Sequence, residues 1–188
     1  IRRLRNKVAN ILNGAGFSPD SHAGKALLYI LESYPRDLLF QVDEAELARA
    51  VMEVLQLQER QRVRLLMHVD RFSRFVACIV YVPRDRFNTE RRVAMQAVLE
   101  DLLGGRCEDF TVQLSESVLA RLYFVLRISR DAKLDIDRDV VEERLFDVLR
   151  DWNDTLSEAL TSRFGEAHGV ELRRKYAGAF SPTYREHY

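Results

Sequence analysis

The stretch from Arg62 to Gly104 restricts this chain more than any other. It runs RVRLLMHV, then DRFSR, then FVACIVYVP, then RDRFNTE and a segment with an apolar side. Val63, Leu65, Met67 and Val69 alternate with Arg64, Leu66 and His68, the period of a half-buried strand. His68 falls opposite the apolar side and is expected to be exposed. After the tight connection Asp70–Arg74, Phe75–Val82 is apolar on both sides and rich in β-branched residues, which predicts a central strand paired antiparallel to the first. Pro83 ends it by removing a ladder donor. Asn88 or Thr89 is placed to cap the helix that follows. Val93, Ala94, Ala97, Val98 and Leu102 are expected on its buried side, and Gly104-Gly105 stops it.

Upstream, Leu4, Val8, Ile11 and Leu12 fall at helical spacing, and Asn13-Gly14 ends that helix. Ser18-Pro19-Asp20 reads as the start of a second, with Ser as cap and Pro in the first turn. Leu27, Leu28, Leu31 and Tyr34 supply its face, and Pro35 ends it by pushing Tyr34 out of the α region. Leu38–Val42 is a short apolar stretch that suits a strand. Asp43 and Glu46 have the reciprocal capping-box spacing, ahead of a Leu47, Val51, Val54 and Leu55 stripe running to about Arg60. Downstream, Phe110, Val112 and Leu114 alternate with polar residues, and Leu122, Phe124, Leu126 and Ile128 alternate with Arg121, Tyr123, Val125 and Arg127. These are two more strands with a bend at Ser115–Ser117. Asp137 is placed to cap one long helix carrying Val141, Leu145, Val148, Leu149, Trp152, Leu156, Ala159 and Leu160 up to Gly165. The aromatic tail, with Tyr176, Phe180 and Tyr184, is expected to pack on a neighbouring region.

From Leu38 the order is strand, helix, strand, strand, helix, strand, a further strand and a helix. A four-stranded antiparallel sheet with helices on one face buries these stripes most simply. The expected class is α+β, with a ferredoxin-like split-βαβ sheet and flanking N- and C-terminal helices. The expected division is a helical lead-in at 1–37, the α+β domain at 38–165 and a tail at 166–188.

Composition narrows the chemistry. Hydrophobic residues make up 47% and charged residues 31%, and Lys+Arg 29 balances Asp+Glu 29. That neutrality argues against nucleic acid or an acidic membrane as partner. No apolar run reaches the length of a membrane span. Cys78 and Cys107 are expected to be reduced and structural. His22, His68, His168 and His187 never pair at i+3 or i+4, so no metal site is expected. There is no GxGxxG or GxxxxGK[ST] motif, and no complete catalytic constellation. Ser115-Glu116-Ser117 has no His placed to activate a serine, and Glu142-Glu143, Asp151 and Asp154 read as solvated helix charge. The sharpest local site is the strand-to-helix turn. Arg84, Arg86, Asn88 and Thr89 flank a helix N-terminus, where backbone N–H groups and guanidinium groups hold a carboxylate or phosphate. A second pattern interleaves cations and aromatics, at Arg71, Phe72, Arg74 and Phe75 and at Arg121, Tyr123 and Arg127, as a sheet that stacks single-stranded bases does.

Several stretches occur in order: Tyr34-Pro35-Arg36-Asp37 with Leu39-Phe40-Gln41; Leu57-Gln58-Glu59-Arg60 with Arg62-Val63-Arg64-Leu65; and Asp70-Arg71-Phe72 with Arg74-Phe75-Val76. Tyr81-Val82-Pro83-Arg84-Asp85-Arg86 and Leu114-Ser115-Glu116-Ser117-Val118-Leu119-Ala120-Arg121 follow. Together they resemble the N-terminal, non-catalytic region of the large bacterial NAD-specific glutamate dehydrogenases. The resemblance implies an ACT-like module in a cytoplasmic, homo-oligomeric enzyme of amino-acid catabolism. That enzyme deaminates L-glutamate oxidatively to 2-oxoglutarate with NAD. It also implies that the catalytic lysine and the NAD-binding segment lie C-terminal to this stretch, which has a counterpart of neither, and that partners are other domains and subunits of the same enzyme. The chain opens on Ile1 without a signal peptide and is expected to be a piece of that longer polypeptide. Ligand-binding ACT domains carry a glycine between their first strand and helix; the corresponding Val42-Asp43-Glu44 has none, which favours a structural role. The expected function is therefore a non-catalytic regulatory or assembly segment. The alternative is an independent amino-acid or anion sensor built on Arg84, Arg86, Asn88 and Thr89.

Overall fold

The computed structural model of the chain describes residues 2–57, 62–70, 72, 74–115, 117–129, 136–176 and 179. Arg60, Arg71, Glu116, Phe180 and Tyr184, on which parts of the reading above fall, lie outside the described residues, as does the side chain of Trp152.

Four helices come first: α1 (Arg2–Gly14), α2 (His22–Ser33), α3 (Arg36–Gln41) and α4 (Glu44–Leu57). α2 starts later than its serine-proline signal suggests. Ser21 is the cap, its Oγ accepting from the Gly24 N–H at 3.0 Å, while Ser18 gives its carbonyl to the Ser21 N–H and Oγ. Glycine is required at 24, because a Cβ there would stand 2.2 Å from the Ser18 carbonyl oxygen. α2 stops where Pro35 dictates, with Tyr34 extended at φ −64°, ψ 141°. The Leu38–Val42 stretch is helical, not a strand: Pro35 caps α3 and Asp37 sits in its first turn. Lys7 of α1 donates to the carbonyl oxygens of Leu39 (2.9 Å) and Val42, at the end of α3.

The sheet is four-stranded and antiparallel throughout, built from β1 (Arg64–Val69), β2 (Phe75–Pro83), β3 (Gly105–Gln113) and β4 (Leu119–Ile128) in the order β1-β2-β4-β3. Asp70 orders the β1–β2 hairpin, accepting from the N–H groups of Phe72, Arg74 and Phe75. α5 (Thr89–Leu103) crosses from β2 to β3, and Gly104 closes it in the left-handed region at φ 60°. β4 is not an added outer strand. It runs between β2 and β3, so the β2–α5–β3 crossover skips one strand, as a split-βαβ unit does. With α6 (Arg138–Leu149) after β4, the chain order is ββαββα, a permuted route through the ferredoxin-like strand arrangement.

Both sheet faces are covered. Alternation places Leu65, Val76, Cys78, Val80, Leu122, Phe124 and Leu126 on one face, all buried. α5 packs there on β3 and β4 and buries Met95, Leu99 and Leu103. The expected buried side of α5 is rotated: Val93, Ala94 and Ala97 are exposed, because the longer Met and Leu side chains take the sheet. The opposite face, with Leu66, Ala77, Ile79, Tyr81, Leu119 and Tyr123, forms one apolar cluster with α1 to α4, including Leu27, Leu31, Leu47, Val51 and Val54. α5 thus covers one face, α6 meets the β1 edge through Glu142, and the N-terminal helices form the second layer.

The predicted single C-terminal helix is broken. α6 ends at Leu149, and α7 (Trp152–Phe164) restarts behind Asp151. Asp151 and Asp154 are not idle surface charge: each side chain accepts the other's backbone N–H, a complete capping box. α7 and α8 (Glu166–Tyr176) belong to a separate compact unit, residues 146–188, in which Gly169 lies against the Thr161 backbone.

Phe124 is fully buried and Val140 is 47% exposed. Phe124→Ala is expected to lower unfolding free energy by about 3–5 kcal/mol, and Val140→Ala by no more than about 0.5 kcal/mol, in urea titrations followed by circular dichroism.

Candidate functional site

The four predicted site residues meet in one turn. Arg84 and Arg86 lie on a 3-10 turn, Arg84–Arg86, and Asn88 caps α5 with its Oδ1 accepting from the Arg91 N–H at 2.8 Å. Thr89 is the first, exposed residue of that helix. The Arg84 guanidinium donates to the Ser115 carbonyl and its N–H to the Val118 carbonyl at 2.9 Å, pinning the turn to the β3–β4 connection. Arg91 reaches back to the Arg86 carbonyl at 2.6 Å. Backbone partners thus engage both the Asn88 carboxamide and the Arg84 guanidinium.

A second polar constellation, missed by the sequence reading, lies between the N-terminal helices and the sheet. The His68 side chain is 9% exposed, not solvated, because α2 and α4 cover the face it occupies. Its Nε2 lies 2.8 Å from Tyr34 Oη, and its Nδ1 lies 3.1 Å from Glu46 Oε1. Burial holds the Tyr34 hydroxyl well above the usual phenol range, so it stays protonated and donates to Nε2. Nδ1–H then donates to Glu46. Burial also lowers the His68 imidazole, outweighing the carboxylate that pulls it up. The triad is therefore a hydrogen-bonded chain of neutral phenol, neutral imidazole and the Glu46 carboxylate, joining the end of α2, β1 and the first turn of α4. Glu46 completes half a capping box, its N–H donating to Asp43 Oδ1 at 2.7 Å, and spends its carboxylate on His68.

Further along the same face Arg121 stands directly across from Tyr81 on β2. Tyr81 is 5% exposed. Its Oη, and Nε and Nη1 of Arg121, are buried without a hydrogen-bond partner among the described residues. Burial pushes the Tyr81 phenol up to about 12 and lowers the Arg121 guanidinium. Arg121 and Tyr123 therefore face the helical layer, which removes the open platform that base stacking needs. The signal was present: both alternate with Leu122 and Phe124, so they had to occupy the sheet's other side. Among the described residues no three His, Cys, Asp or Glu side chains cluster as metal ligands, and no helix is long and apolar enough to cross a membrane. Both cysteines are free thiols, and burial pushes Cys78 up to about 12, which leaves it unreactive.

Three family models of glutamate dehydrogenase match: the ACT2 domain over residues 64–153, helical motif 1 over 3–60 and helical motif 2 over 159–188. The chain is 45% identical over 183 residues to an NAD-specific glutamate dehydrogenase of Halomonas elongata, covering 97% of this chain and 11% of that protein. It is 38% identical over 186 residues to the enzyme of that name from Pseudomonas aeruginosa, covering 98% of this chain and 11% of the relative. A Mycobacterium tuberculosis protein of the same name is 30% identical over 199 residues, covering 98% of this chain and 12% of the relative. The chain thus spans about a tenth of the length of the curated relatives it matches. The matched ACT2 segment contains the whole sheet with α5 and α6, and helical motif 1 contains α1 to α4.

The imidazole of His68 sets a pH signature. Its folded pKa lies below its unfolded value, so the unfolded chain binds more protons at low pH. Stability is full above about pH 6.5 and falls as pH drops through the folded pKa, by about 1.4 kcal/mol for each unit of depression. Urea unfolding at pH 7.5 and pH 5.5 is expected to show this loss, and His68→Gln is expected to diminish it.

Proposed function

The chain belongs to the NAD-specific glutamate dehydrogenase family, and on that premise we propose that it is a non-catalytic assembly and regulatory segment of such an enzyme. The whole polypeptide would deaminate L-glutamate oxidatively to 2-oxoglutarate with NAD, and this segment would contact its other domains and further subunits. The strand-to-helix turn into α5, Pro83 to Asn88, contains no glycine. It does not suit the close backbone approach that a dinucleotide pyrophosphate needs, so we assign NAD to another part of the polypeptide.

The asymmetry of the two sheet edges carries the assembly reading. At β1 the edge is closed: Glu142 of α6 accepts from the Leu65 N–H at 2.8 Å. Arg64 and Arg138 bridge Glu53 of α4 to Glu142 across that edge, at 3.1 to 3.8 Å. Among the described residues the covering at β3 is confined to its start, where Glu100 accepts from the Cys107 N–H at 2.9 Å beside a bulge. Beyond it, Phe110 (46%), Leu114 (54%) and, on the neighbouring helix, Val93 (50%) are exposed. An uncovered edge strand flanked by apolar side chains is a template for pairing with another strand. A second protomer of the same enzyme is the partner we assign to it.

Analytical ultracentrifugation tests this. Phe110→Lys combined with Leu114→Lys is expected to weaken self-association by roughly thirtyfold while leaving the circular dichroism spectrum unchanged. Association as tight as that of the wild type would reject the β3 edge as the contact.

A further inference from the structure

Between α2 and the ends of β2 and β4 lies a cavity of about 20 Å³, lined by Tyr81, Arg121, Tyr29 and Ser33 among others. A groove of about 730 Å³ lies against the same Tyr29, together with Ser115 and Ser117, and is flanked by His22 and Lys25. Ala26 and Val118 give that groove an apolar wall. Two residues that line the small cavity carry buried polar atoms with no hydrogen-bond partner among the described residues: Oη of Tyr81, and Nε and Nη1 of Arg121. Buried polar atoms without partners are rare in native proteins, and a buried cation without an anion is costly. Burial lowers the Arg121 guanidinium, the phenols of Tyr81, Tyr29, Tyr34 and Tyr123 act against that, and no ion pair joins Arg121 to a carboxylate among the described residues. The Tyr81 phenol is neutral at physiological pH. It therefore offers an O–H donor beside a permanently charged guanidinium.

A donor and a cation left unpartnered beside one small space call for an acceptor that carries negative charge. The space admits about one or two water-sized groups, which suits a planar carboxylate head better than a tetrahedral phosphate. We propose that Arg121 and Tyr81 form the anchoring end of a binding site for a small organic carboxylate, whose body lies in the adjoining groove beside α2. Lys25 and His22 at the groove favour the same charge. The site joins helical motif 1 to the ACT2 sheet, so a bound carboxylate ties the two layers together. It rests on the unpartnered atoms and is independent of the assembly role of β3.

Calorimetric titration of the purified protein with acetate, propionate and succinate tests it, with chloride and inorganic phosphate as comparators. At least one carboxylate is expected to bind saturably. Arg121→Gln is expected to weaken that binding by roughly tenfold or more. Tyr81→Phe, which keeps the ring and deletes the one donor, is expected to weaken it by a smaller factor. The proposal is overturned if no carboxylate binds saturably to the wild type, or if chloride or phosphate binds as tightly as the carboxylates. Unchanged affinity in Tyr81→Phe and in folded Arg121→Gln also overturns it. Should Arg121→Gln fail to fold, the wild-type titrations and Tyr81→Phe decide the matter.

Discussion

A strand that is apolar on both sides needs two covering layers, and β2 is such a strand. From Val76 to Pro83 it is buried without interruption. α5 packs on one face of the sheet with Met95, Leu99 and Leu103, and α1 to α4 cover the other through Leu27, Leu31, Leu47 and Val51. The second cover has a consequence for polar groups. His68, Tyr81, Arg121 and Tyr123 stand on the sheet face that an isolated four-stranded unit would leave to water. Closing the helical layer over them removes that water. Each then needs an internal partner or remains unsatisfied. His68 finds partners in Tyr34 and Glu46. Among the described residues the Tyr81 hydroxyl and Nε and Nη1 of Arg121 do not, and that difference separates a structural hydrogen-bonded chain from the proposed carboxylate site.

The two edges of the sheet extend the same logic. An edge strand must be blocked, charged or paired. β1 is blocked by an ion-pair network that links α4 to α6 and satisfies one strand N–H, with Glu142 buried enough that desolvation raises its carboxyl. Among the described residues β3 has no comparable cover beyond its bulged start. The helices that are described therefore close the β1 edge and not the β3 edge.

Much of this was legible locally. Pro35, Asn88 and Gly104 mark their boundaries by backbone chemistry that acts within a few residues, and each boundary stands where that chemistry puts it. The alternation of β4 likewise identified Leu122, Phe124, Leu126 and Ile128 as buried. That of β1 did not do the same, because the helical layer buries Leu66 and His68 while Val69 at the strand end is 48% exposed. The failures have physical causes. Leu38–Val42 is too short for period to decide, and its helical state follows from Pro35 at the cap and Lys7 on its last carbonyls. The break between α6 and α7 is written in Asp151 and Asp154, whose capping spacing is indistinguishable by composition from solvated helix charge. α5 has apolar residues on both sides, so its stripe alone does not say that Met95, Leu99 and Leu103 face inward. The central place of β4, and with it the burial of Arg121, depends on pairing between residues far apart in sequence. No local pattern encodes that.

The central claim is that the N-terminal helices and the sheet share one core. Native-state hydrogen exchange measures it directly, because residues in one cooperative unit open with one free energy. The account predicts that the slowest amides of α2 and α4 and those of β2 exchange at matching free energies and shift together with denaturant. Helices that open at far lower free energy while β2 stays fully protected would contradict it.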